Sequence, residues 1–437
     1  MNAETLLTLE KFQMKKTLVA LAAFTAVAAF AQTNPQPSGA VPLPSQNGFL
    51  ITGLWDVAYG SLKYKGGNSQ STVVHNSTGT SQIDFVAVED LGGGMKADFF
   101  WENDIIPWSQ NNAGVATLNG IAPSATAGAT SFSGAQAAST WGNGQIKAGL
   151  HSNSFGYLAL GAVNNAALDW NQYSGPFGTA WGSGYGVTQA TVGNGFGSAA
   201  FVRWNNSMRY LTPTMNGLTG SLTYRSKNST AANNLYSTNP GATSQSGVQE
   251  LALIYNNGPI NAIAVSQIDD ASGTAGAASA ANTAASVLNP TGKYTTNSLG
   301  GNYKLGNATL YYGYQKMTDD AAVQASNKTA RYSIKYDITP ALSVMATSNK
   351  RTYSKVGSSA DGLSTTVMGL GANYMLSKMT LLTFRWDKTQ DDIGTGLDTT
   401  QALSSASTGV IRAGFPGTAT ASDNTRTRSA VGLRINF

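Results

Sequence analysis

Arginines recur two residues apart along this chain, and that spacing is its first chemical signal. In FVRWNNSMRYL, Arg203, Asn205, Ser207 and Arg209 share one parity, and Trp204, Met208 and Tyr210 share the other. In RYSIKY, Arg331, Ser333 and Lys335 oppose Tyr332, Ile334 and Tyr336, and further on Arg385 and Asp387 oppose Leu382, Phe384 and Trp386. The final stretch sets Arg426, Arg428 and Arg434 against Val431, Leu433, Ile435 and Phe437, and an early one sets Asp56 against Trp55, Val57 and Tyr59. Residues two apart lie on one face of a strand, so each segment carries charge on one side and apolar groups on the other. Such faces bind or steer ions without bond-making chemistry. Acyl or peptide cleavage commonly needs a histidine base beside a nucleophile. Only His75 and His151 exist, cysteine is absent, and neither histidine has a Ser and Asp constellation in its segment. No phosphate-binding loop, zinc motif or EF-hand pattern occurs, so no catalytic residue, metal or cofactor is expected.

The elements that carry these faces follow from the same alternation. Segments near 50–63, 81–89, 95–104, 145–151, 156–163, 201–211, 218–226, 248–256, 260–268, 298–304, 308–317, 330–336, 341–353, 365–374, 379–389 and 426–437 read as strands. They are joined alternately by short Gly, Asn and Pro turns of the kind hairpins require and by long polar connections, such as 105–144, 164–200, 269–297 and 390–425. Charged residues make up 11% of the 437, well under the roughly 25% of soluble domains, so much of the surface is expected to face something other than water. No apolar run long enough for a membrane helix follows the N-terminal region, which leaves a closed barrel as the membrane-spanning form. Sixteen strands with short turns at one end and long loops at the other fit an antiparallel transmembrane β-barrel. A charge on its lipid face near the midplane would cost about 2–4 kcal/mol, so the arginine face is predicted to point into an aqueous lumen. Tyrosines near the strand ends suit interfacial girdles.

The N-terminal MKKTLVALAAFTAVAAFAQ begins at Met14, runs through an apolar core and ends at Ala29-Phe30-Ala31. This predicts a secretory signal over 1–31 and a single barrel domain over 32–437. The formal charge of +5 contains no run of like charges, so no nucleic-acid partner is expected.

TGLWDVAYG, VEDLGGGMKADFFWEND, RWNNSMRYLTP with GLTGSLTY, and the terminal VGLRINF resemble the general diffusion porins of Gram-negative bacteria, of the β-proteobacterial kind. The resemblance implies an outer-membrane homotrimer in contact with lipid and lipopolysaccharide, passively conducting ions and small hydrophilic solutes. It further implies a third outer loop folded into the pore, here 164–200, and a terminal Phe437 read by the outer-membrane assembly machinery. Arg203 and Arg209 match family wall arginines, and Asp56 and Glu89-Asp90 match the pattern at the first strand and first turn. The chain departs from the family at Gln82, Val86, Gly144 and Ala162, where arginines are usual. Its constriction loop holds one charge, Asp169, among the aromatics Trp170, Tyr173, Phe177, Trp181, Tyr185 and Phe196. The wall arginines Arg203, Arg209, Arg385, Arg426, Arg428 and Arg434 predict weak anion preference. The alternatives are a substrate-preferring channel whose loop aromatics meet the solute, an outer-membrane hydrolase, and an adhesin barrel.

Overall fold

A computed structural model of the protein describes residues 47–64, 69–75, 77–105, 144–185, 188, 203–227, 247–270, 293–319, 326–354, 362, 364–391 and 425–437. The expected signal over 1–31, Phe196, and most of 105–144, 269–297 and 390–425 lie outside the described residues. The strands are β1 (Gly48–Tyr64), β2 (Ser69–His75), β3 (Gln82–Gly92), β4 (Met95–Asp104), β5 (Ile146–Ser152) and β6 (Gly156–Asn164). After helix α1 (Ala166–Ser174) come β7 (Arg203–Leu211), β8 (Leu218–Arg225), β9 (Gly247–Asn257), β10 (Ile260–Asp270) and β11 (Lys293–Leu305). Then follow β12 (Ala308–Asp319), β13 (Ser326–Asp337), β14 (Leu342–Ser354), β15 (Ser364–Met375), β16 (Thr380–Asp391) and β17 (Thr425–Asn436).

From β3 onward each strand pairs antiparallel with the next, and β17 returns to β1 in a register running from Leu54↔Asn436 to Tyr64↔Arg426. The ring is closed. It has sixteen positions in its wall, because β2 and β3 lie end to end along the same edge of β1. The sequence reading places only one strand there, at 81–89. Closure leaves no unpaired edge to template aggregation. At the seam the Gly53 amide donates to the Phe437 carbonyl at 2.9 Å, and the Phe437 amide donates back to Gly53 at 3.1 Å. Short turns hold glycines with positive φ, Gly92 and Gly93 (78° and 63°) and Gly258 (57°) among them, as tight reversals demand.

The two faces of the wall are inverted relative to a soluble protein. Tyr59, Leu251 and Val431 are more than 60% exposed, in a band with Leu253, Leu299, Tyr332, Leu370 and Phe384. The buried side instead carries Asp, Asn, Thr and Arg. An apolar band of this extent is stable only against lipid. Apolar cores also form inside the ring: Trp170 and Tyr173 pack on Ala252, Ile254, Ile263 and Val265, and Trp181 packs on Ala58, Val74 and Ala430. The inner face is therefore wettable only in part.

One assignment of faces changes. Trp204, expected outside with Met208, is 2% exposed and lies on the buried side with Ser207 and Arg209. The cause is a β-bulge. Gly161↔Ser207 is followed by Val163↔Trp204, so β7 holds one extra residue, and Asn206 adopts φ 54° to accommodate it. An extra residue inverts the parity beyond it. Arg203 and Arg209 thus do not share a face by simple alternation.

Candidate channel constriction

The loop after β6 turns into the ring and begins with α1. Asn165 caps the helix, its side chain accepting from the Leu168 amide at 2.8 Å, as N-cap residues do. Glu250 of β9, 1% exposed, accepts from the Ala166 and Ala167 amides at 2.8 and 3.0 Å and from Thr223 Oγ1 at 2.8 Å. A carboxylate there meets both the free amides and the positive end of the helix dipole. The sequence reading does not single out Glu250, although one acid among the apolar residues of VQELALIY is a signal.

Beyond its start the helix is fastened along its length. Asp169 pairs with Arg209 at 2.7 Å, and both are almost fully buried. Arg209 also donates to the Asn164 carbonyl at 2.9 Å and to Ser221 Oγ at 3.0 Å. Trp170 donates through Nε1 to the Leu299 carbonyl at 2.8 Å, with the Arg331 guanidinium 4.5 Å from its ring centroid. Arg331 donates to Asn349 Oδ1 at 2.6 Å, Ser174 Oγ at 2.9 Å and the Ser183 carbonyl at 2.8 Å. The Tyr173 hydroxyl accepts from Asn256 at 2.9 Å, and its carbonyl accepts from Asn302 at 3.2 Å. Burial pushes the Tyr173 phenol up from its ordinary value. Tyr185, half-buried, is pushed by burial up to about 12, so it stays neutral at physiological pH.

The far end of the loop is held as firmly. Asp387 is buried, pairs with Arg428 at 2.6 Å, lies 3.9 Å from Arg426, and accepts from the Gly182 amide at 3.0 Å. Arg428 also sits 4.3 Å from the Trp181 ring centroid, and Arg385 sits 5.7 Å from that of Phe177. The Thr188 carbonyl accepts from Thr329. The wall makes room through glycine. A Cβ on Gly313 would lie 2.5 Å from Ser174 Cβ, and one on Gly369 would lie 2.5 Å from the Gly182 carbonyl oxygen.

The structure therefore brings Asp169, Trp170, Tyr173, Trp181, Arg209, Arg331, Arg385, Asp387 and Arg428 together under the loop. Others stand apart. Arg203 bonds Glu102 at 3.2 Å near the root of the loop, whereas Arg426 remains beside Asp387 and donates to Thr389 at 3.1 Å. Lys335 pairs with Asp337 at 3.0 Å towards the short-turn end, and Arg434 donates to Asn436 at 3.1 Å. Glu89 and Asp90 are exposed beside the first short turn. Phe437 is 39% exposed on the outer face. His151 bonds Asp98 at 3.0 Å and stacks on Tyr157; His75 ends β2. Among the described residues, no group of three potential metal ligands occurs.

A closed ring with an apolar exterior and an infolded loop fits the family suggested by the sequence, and the Gram-negative porin model matches residues 17–393. The chain belongs to the Gram-negative porin family. An outer membrane porin protein of Bordetella pertussis is 26% identical over 268 residues, which are 57% of this chain and 58% of that one. The match thus spans under three fifths of that relative's length. The solved anion-selective porin from Comamonas acidovorans superposes with a TM-score of 0.63, covering 90% of this chain and 100% of that one at 16% identity. OmpT of Vibrio cholerae in its trimer form gives 0.54, covering 90% and 100% at 11% identity. OmpF of Salmonella typhi in complex with daunomycin gives 0.53, covering 90% and 98% at 13% identity. At these identities the structures show the porin fold. The family consists of outer-membrane channels, which answers the hydrolase alternative.

Proposed function

We propose that the protein passively conducts ions and small hydrophilic solutes across the outer membrane, with the loop from α1 to Thr188 setting the waist of the pore. One observation carries this reading: an inverted barrel whose loop is bonded to the inner wall from β7 to β17. The aromatic-channel alternative loses its support, since Trp170, Tyr173, Phe177 and Trp181 are all 5% exposed or less, packed on the wall. Weak anion preference rests on cations that no carboxylate pairs with directly. Among the described residues, Arg331, Arg385 and Arg434 have no carboxylate at ion-pair distance, whereas Arg209 and Arg428 do. Low-dielectric walls focus such a field. Planar-bilayer recording in a salt gradient tests it; a reversal potential favouring cations refutes the preference.

The same reading includes a cleaved leader over 1–31, a homotrimer, and contact with lipopolysaccharide. The trimer form of the Vibrio neighbour supports the second. The third is supported by exposed Lys316, Lys328 and Lys350 on the outward face at the long-loop end, with Lys316 directly opposite Lys328. Like charges so placed repel unless an anion such as phosphate lies between them. N-terminal mass, native mass spectrometry and binding of lipopolysaccharide to the Lys→Gln triple variant test the three in turn. Phe437 is read as the assembly signal, and Phe437→Asp should cut surface level far more than the conductance of whatever inserts; normal surface level refutes it.

A further inference from the structure

The break between β2 and β3 is itself a built feature of the lumen. Leu54 pairs with Gln82 and Val57 with His75, so residues 77–81 have only Trp55 and Asp56 of β1 between those pairs to stand against. The surplus chain has to leave the sheet, and the side it takes can be read from its contacts. Trp55 and Tyr59 are exposed on the outer face, so Asp56 points inward. A Cβ on Gly79 would lie 3.0 Å from Leu54 Cδ2 and 3.5 Å from Arg434 Nη1, and Arg434 is the register partner of Asp56 on β17. Residues 77–81 therefore fold into the ring.

Asp56 holds them there. Its Oδ1 accepts from Ser77 Oγ at 3.0 Å, and its Oδ2 accepts from the Thr78 amide at 2.6 Å, Thr78 Oγ1 at 2.5 Å and the Gly79 amide at 3.0 Å. Ser81 then replaces the lost ladder: its Oγ accepts from the Asp56 amide at 2.9 Å and donates to the Asp56 carbonyl at 3.1 Å. Asp56, Ser77 and Ser81 are wholly buried, while Thr78, Gly79 and Thr80 keep part of their surface. A carboxylate spent on two backbone amides and two hydroxyls is a clamp on a loop, and its charge is screened from passing ions.

We propose that residues 77–81 form a second infold that borders the conduction path beside Arg434, and that Asp56 is the positioning residue that holds it in the lumen. The inference rests on the channel reading. It adds to that reading a determinant of pore size on the strands where the chain begins and ends its ring, separate from the loop after β6.

The chain has no cysteine, so Thr80→Cys carries a single thiol and disturbs none of the bonds to Asp56. In planar-bilayer recording, a negatively charged methanethiosulfonate reagent should lower the current of open Thr80→Cys channels in steps, with no effect on the parent. Asp56→Asn, which places a donor where the clamp needs an acceptor, should raise single-channel conductance and current noise. Modification of the thiol without any loss of current overturns the proposal, as does a thiol in folded protein that the reagent never reaches. Labelling in lipid vesicles, read by mass, is independent of conduction. A parent that fails to conduct while Thr80→Cys still labels therefore refutes the channel reading and leaves the infold standing. If Asp56→Asn does not fold, the Thr80→Cys arm decides alone.

Discussion

The arc of wall under the loop, β7 to β17, and the arc from β3 to β6 are built from the same residue types in different arrangements. Beneath the loop, arginines are buried against aromatic rings and fixed oxygens, neutral or charged: Arg331 between Asn349, Ser174 and Trp170, and Arg428 between the Asp387 carboxylate and Trp181. On the other arc Asp84 faces Glu102 across adjacent strands, Glu102 reaches Arg203, and Asp98 is shared by His151 and Tyr157. Val86, Val88 and Phe100 form an apolar cluster of the wall's own side chains. A fixed charge on the first arc chiefly helps to hold the loop, and one on the second chiefly holds another wall side chain. Charge on an inward parity is thus not one role. Its role depends on whether a loop lies over it.

The largest effect that would break this contrast is expected at Asp387. Removing one partner of a buried ion pair costs about 3–5 kcal/mol, because the other charge is left uncompensated. Asp387→Ala should therefore lower stability by about that much and free the loop near Gly182, seen as raised conductance with frequent flickering. Glu102→Ala, whose partner Arg203 keeps more contact with solvent than Arg428 does, should cost less than Asp387→Ala. Denaturant titration of the folded barrel measures both; equal losses would erase the distinction between the arcs.

The fold was legible because a ring of strands needs only period two, turn chemistry and closure, and each is local. VGLRINF closes on β1 as its alternation implies. The alternation failed at Trp204 because one αL residue, Asn206, inserts a bulge that single-residue patterns do not reveal. It also missed β2, since the break at 77–81 is held by contacts to Asp56 some twenty residues back. The use of the arginines was hidden for the same reason at greater range. Asp387 meets Gly182 across 205 positions and Arg331 meets Ser174 across 157. The helix at 166–174 lies in a segment that reads as loop; its aromatics were visible as residue types, but which way they face depends on the wall they meet.

Next in size is the glycine surface on which the loop rests. Gly313→Val puts a branched side chain where Ser174 Cβ lies 2.5 Å from a bare Cβ. Overpacking of this kind costs about 1–3 kcal/mol, and the loop can relieve it only by lifting from the wall. Single-channel conductance should then rise along with the loss of stability. Unchanged conductance would show that the wall yields instead of the loop.

The smallest expected effect concerns the charge and one acceptor at the start of α1. Glu250→Gln keeps the shape at the start of α1 and one acceptor for the amides of Ala166 and Ala167, but removes the negative charge from the helix N-terminus. Charge at a helix end is worth about 0.3–2 kcal/mol, the upper part for partly buried geometry, so stability should fall by less than with Asp387→Ala. Selectivity should move as well, because Glu250 offsets part of the positive charge on the arc beneath the loop. The reversal potential in a salt gradient should shift towards anions. The same exchange on the other arc, Asp84→Asn, should shift it in the same direction but by less, because Asp84 is buried facing Glu102, and without touching the loop or its flicker. A pair of variants that differ in noise but agree in the sign of their selectivity change would separate what charge does for the field from what it does for the loop.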